Sequence, residues 1–127
     1  MARILLIDDD FQIRLMLRMT FEEAGYTVEV AENGKEGIAK CAAFDPQVII
    51  TDIIMPEMDG TETIMKLSKS HPNTKIIAIS GGGRNSPEGY LFVAKQLGAD
   101  MTFFKPIDRS KLLEAVAQLI PGEISQS

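Results

Sequence analysis

Three observations predict an α/β fold in which a five-stranded parallel sheet is doubly wound by five helices. Apolar runs of strand length alternate five times with stretches of helical periodicity of about ten residues or more. Right-handed crossovers make strands joined in that way parallel. Four of the five apolar runs end in a side chain suited to phosphoryl or metal chemistry, and the carboxyl edge of an open parallel sheet is where sites are built.

The elements follow in order along the 127 residues. Ile4 to Ile7 is the first strand. Phe11 to Ala24 is a helix with core-side positions 13, 16, 17, 20, 21 and 24, capped by Asp10 and stopped by Gly25. Thr27 to Val30 alternates as the second strand. Gly34 to Ala43 is a helix opened by Asn33, and Pro46 marks the turn before the third strand, Val48 to Thr51. A third helix runs from about Thr61 to Ser70 and breaks at His71-Pro72, with His71 read as a surface turn residue. Ile76 to Ile79 is the fourth strand. A loop of Ser80, three glycines, Arg84, Asn85, Ser86 and Pro87 leads into a helix ending near Gly98, and Met101 to Phe104 is the fifth strand. Asp108 caps the last helix, Arg109 to Ile120, which Pro121-Gly122 stops. The chain reads as one domain over residues 1–122 with a polar tail over 123–127.

Composition narrows the function classes. A net charge of −5 without a lysine-arginine cluster gives no general pull toward nucleic acid or an anionic membrane, so the expected partners are proteins or small ions. The single cysteine, Cys41, excludes an internal disulfide and lies in a helical pattern, where a buried thiol is the usual reading. The first apolar run stops at Asp8, too short for a signal-peptide core or a membrane span, so a cytoplasmic location is expected.

The chemistry appears at the strand ends. The first strand leads to Asp8-Asp9-Asp10, the third to Asp52, the fourth to Ser80 and the fifth to Lys105, whereas the second leads only to Ala31-Glu32-Asn33. For the four to converge, the second strand must lie at an edge, which gives the order 2-1-3-4-5 and a switch point between the first and third strands. Asp8, Asp9 and Asp52 would then bring three negative charges into one crevice against one from Lys105. A divalent cation would approach neutrality, and hard oxygen ligands favour Mg²⁺. Such an ion screens the repulsion between a phosphate donor and Asp52, while the Ser80 hydroxyl and Lys105 ammonium can each take a phosphoryl oxygen. These groups support aspartyl phosphate formation with Asp52 as the nucleophile. Taken alone, Asp52 could equally be a helix cap or turn residue.

Over residues 3 to about 120 the chain resembles a receiver domain of the two-component response regulators. The matching residues are Asp8-Asp9, then Asp52 with Met55-Pro56 and Asp59-Gly60, then Ser80, then Lys105-Pro106. Each piece is weak evidence, but four in order, each at a strand end, are specific. The resemblance implies a stand-alone, flavodoxin-like receiver that takes a phosphoryl group onto Asp52 from a histidine kinase or histidine phosphotransfer protein and signals by contact with a downstream target protein. It further implies that Asp9, Asp52 and the Ile54 carbonyl ligate Mg²⁺, with Asp8 assisting through water. Ser80 and Lys105 would hold the phosphoryl oxygens, and the Lys105-Pro106 bond would be cis.

Other readings stand beside this one. Asp8-x-Asp10 after a strand suggests a Mg²⁺-dependent phosphohydrolase of the haloacid dehalogenase type, but Gln12 stands where that motif wants Thr or Val. A receiver-like interaction module that is not phosphorylated is the third reading. Gly81-Gly82-Gly83 lacks the Gly-Lys-Ser/Thr ending of a phosphate-binding loop and reads as a switch loop. Phe11, Leu15 and Met19 form a second apolar stripe on the first helix, a candidate docking surface. Three positions depart from the family pattern: Thr102 where an aromatic is frequent, Ile54 where a polar residue is frequent, and a longer loop after Ser80.

Overall fold

The computed structural model of the chain describes residues 2–53, 60–81 and 87–120, without the side chains of Pro87, Glu88, Tyr90 and Leu91. Its elements are β1 (Arg3–Ile7), α1 (Phe11–Glu23), β2 (Thr27–Ala31), α2 (Gly34–Phe44), β3 (Val48–Asp52), α3 (Gly60–Ser70), β4 (Lys75–Ser80), α4 (Pro87–Leu97), β5 (Met101–Phe104) and α5 (Arg109–Leu119). The strands form one parallel sheet in the order β2-β1-β3-β4-β5, as the convergence of strand ends requires.

Strand composition reports position in the sheet. The central β3 is buried at every residue, and β4 at all but Lys75, because helices cover both their faces. The edge strands β2 and β5 are only partly buried. Side-chain alternation divides the core in two. Ile4, Leu6, Val48, Ile50, Ile77 and Ile79 meet Leu17 and Phe21 of α1 and Leu112, Ala115 and Val116 of α5. Leu5, Ile7, Ile49, Ile76 and Ala78 meet Cys41 of α2, Ile64 and Leu67 of α3 and Ala94 of α4.

The helix starts are fixed by local chemistry. Asp10 accepts from the backbone N–H groups of Gln12 and Ile13, Asn33 from that of Glu36, and Asp108 from those of Ser110 and Lys111. Gly25 turns the chain out of α1 at φ 98°. Most elements differ from the sequence reading by a residue at one end or the other. α1 ends at Glu23, and Ala24 is an exposed C-cap rather than a core residue. β3 extends through Asp52, which pairs with Ile79, so the carboxylate is carried by the strand itself. α3 starts at Gly60, whose N–H donates to the Ile53 carbonyl at 2.6 Å. The expected stop at Pro121-Gly122 and the tail over 123–127 lie outside the described residues.

Candidate functional site

The ends of β1, β3, β4 and β5 bring Asp8, Asp9, Asp52, Ser80 and Lys105 to one edge of the sheet. Asp52 and Asp8 are 6% and 5% exposed, whereas Asp9 is open to solvent. One carboxylate oxygen from each of the three lies within 4.8 Å of the others. The Lys105 ammonium donates to Asp52 Oδ2 at 3.2 Å and sits 3.5 Å from Asp8 Oδ2. Lys105 is aimed there by its backbone, whose N–H donates to the Ser80 carbonyl, and is followed by a cis Lys105-Pro106 bond. Gly81 permits this approach, because a Cβ there would strike the Lys105 side chain.

Charge is poorly balanced in the crevice. Burial pushes the Asp8 carboxyl up from 3.8 to about 6, and the charges of Asp52 and Asp9 add to the rise against the backbone N–H of Asp10 and the Lys105 ammonium. Burial of Lys105 works against its own charge, but Asp52 and Asp8 outweigh it and hold the ammonium above its ordinary value. A cation is therefore the complement that this cluster favours. At Mg–O distances near ~2.1 Å, opposite ligands stand about 4.2 Å apart, so a spread of up to 4.8 Å closes onto one ion with a small side-chain movement or a bridging water. The donor set thus fits Mg²⁺. Ser80 Oγ is fully buried and has no hydrogen-bond partner among the described residues, an arrangement that a ligand oxygen would satisfy.

The Ile54 carbonyl, Met55-Pro56, Asp59 and Gly82-Gly83 lie outside the described residues. Asp10 caps α1, its Oδ1 accepting from the Gln12 and Ile13 N–H groups. Thr102 pairs with Ala78 and is half-buried. The same face of β5 carries Phe104 two residues on, 51% exposed. Phe11, Leu15 and Met19 are 65%, 47% and 55% exposed, so no helix among the described residues covers the α1 stripe. Sequence reasoning missed Arg14, whose Nη1 donates to the Asp8 carbonyl at 2.7 Å. The available signal was spacing: Arg14 lies one turn into α1, close enough to fold back on the end of β1.

Comparison with known proteins agrees with this geometry. The chain is 36% identical to the chemotaxis protein CheY of Thermotoga maritima over 115 residues, 90% of this chain and 93% of that one. It is 29% identical to the sporulation initiation phosphotransferase F of Bacillus subtilis, over 94% of both chains. A CheY-like receiver domain structure from Methanospirillum hungatei superposes with a TM-score of 0.89 at 30% identity, covering 100% of this chain and 99% of that one. The response regulator receiver domain family matches residues 4–117. The chain belongs to that family, the receiver domains of two-component signalling systems.

Proposed function

We propose that this chain folds as a receiver domain over residues 1–122, in which Asp52 accepts a phosphoryl group from a phosphohistidine. The observation that supports it is one buried carboxylate, Asp52, set beside Lys105 and within reach of the Asp8 and Asp9 oxygens. An Asp52 oxygen attacks phosphorus as the phosphorus–nitrogen bond to the donor histidine breaks. Asp9, Asp52 and the Ile54 carbonyl would hold Mg²⁺, with Asp8 assisting through water, and the ion would supply charge neutralisation. Lys105 exchanges its pairing with the carboxylate for a phosphoryl oxygen, and the unpartnered Ser80 hydroxyl takes another.

The donor is a histidine kinase or histidine phosphotransfer protein, and a downstream target protein reads the product. The Phe11, Leu15 and Met19 stripe begins two residues after Asp9, at the mouth of the crevice, and serves as the donor's docking surface. A cytoplasmic location suits the one buried, unpaired thiol at Cys41. Incubation with a small phosphodonor and Mg²⁺ should add one phosphoryl group to the wild type, read by intact mass, and none to Asp52→Ala. An equal adduct on both proteins would sink the assignment.

A further inference from the structure

We infer that Arg14 is a positioning residue of the phosphorylation site, clamping the peptide that joins the two β1-end carboxylates and so setting the affinity for Mg²⁺. This rests on the reading of Asp8 and Asp9 as metal-side groups. Beyond Ile7 the β1 ladder ends, and Asp8 must be fixed by other partners. Its N–H donates to the Ala31 carbonyl at 3.1 Å, and its Oδ1 accepts from the Asp10 N–H at 2.9 Å. The Lys105 ammonium stands 3.5 Å from its Oδ2, and the Arg14 guanidinium holds the backbone, its Nη1 donating to the Asp8 carbonyl at 2.7 Å.

That carbonyl belongs to the peptide unit linking Asp8 to Asp9, so its orientation determines where the Asp9 carboxylate points. Asp9 itself is exposed and lies just before the α1 cap. Arg14 is anchored on its far side too. Its Nη2 is 3.7 Å from Glu32 at the end of β2, and the Phe11 ring covers the guanidinium at 5.8 Å. With a side chain only 11% exposed, Arg14 reaches from the β1 end to the β2 end, its firm arm being the bond to the Asp8 carbonyl and its looser one the pair with the largely exposed Glu32. Partners that orient metal ligands from behind typically change metal affinity by tenfold or more when removed.

The sign of the effect separates three roles. Removing a cation beside an acidic cluster, by charge alone, tightens Mg²⁺ binding. A role confined to fold stability lowers the apo melting temperature and leaves Mg²⁺ affinity of the folded protein unchanged. Positioning weakens binding roughly tenfold in Arg14→Ala. Calorimetric titration of Mg²⁺ into the folded wild type, Arg14→Ala and Arg18→Ala, with apo melts alongside, reads all three. Arg18, paired with Glu22 further along the same helix, controls for charge and should bind as wild type does. Arg14→Lys keeps the charge and secures a folded variant, but one ammonium cannot span both partners, so it too should bind more weakly than wild type. Tighter or unchanged binding in Arg14→Ala, or wild-type affinity in Arg14→Lys, overturns the proposal alone. A wild type that binds no Mg²⁺ overturns the site reading and the proposal with it.

Discussion

At Asp8 a carboxyl is held nearly out of solvent beside two others, and its pKa stands at about 6 against an ordinary 3.8. A group with a raised folded-state value contributes stability below its unfolded value and loses that contribution as pH rises through the folded one. Without metal, an ionised Asp8 therefore costs the fold roughly 3 kcal/mol above pH of about 6. Asp8→Asn should raise the melting temperature in EDTA at pH 8, and the gain should shrink toward pH 5. An equal gain at both pH values would show that the raised carboxyl is not its source. The residues of this crevice were legible because each one follows an apolar run. Arg14 was missed, because its spacing from β1 permits the reach without naming the carbonyl that it finds.

Among the elements, α3 starts on a close backbone contact. Gly60 lies against the exit of β3, where an added Cβ would meet the Ile53 Cα and the Asp52 carbonyl, with the Ile53 carbonyl at 2.8 Å. Gly60→Ala must push α3 off the strand, costing about 2 kcal/mol or more by overpacking, and must displace Asp52 as it does so. Urea unfolding should show the loss, and phosphodonor labelling should slow in parallel. A variant as stable as wild type would mean that the helix start relaxes freely. In the sequence, Asp59-Gly60 entered as part of the receiver-like pattern, since local chemistry does not reveal what presses on a glycine. Helix caps were readable in advance because Asp10, Asn33 and Asp108 bond within three residues of themselves. The exit of α1 was placed one residue late, because alanine at position 24 suits a helix interior and a C-cap alike.

For the molecule as a whole, strand order was legible from function before packing. Only β2 lacks a chemical group at its end, so it belongs at an edge, and the partly buried β2 and β5 flank three inner strands accordingly. The division of the core between α1 with α5 and the other three helices follows from alternation along the strands. Cys41 sits in the second of these cores at 0% exposure, and burial, with Asp45 adding its charge, pushes its thiol up to about 11. As the chain's one cysteine, it is a chemical clock for opening of the α2 side of the sheet. A thiol reagent should modify the native protein only as fast as that side opens, and saturating Mg²⁺ should lengthen the half-time by favouring the closed state. Prompt modification in native buffer would mean that α2 leaves the sheet without the rest of the fold, and that metal at the strand ends does not hold it there.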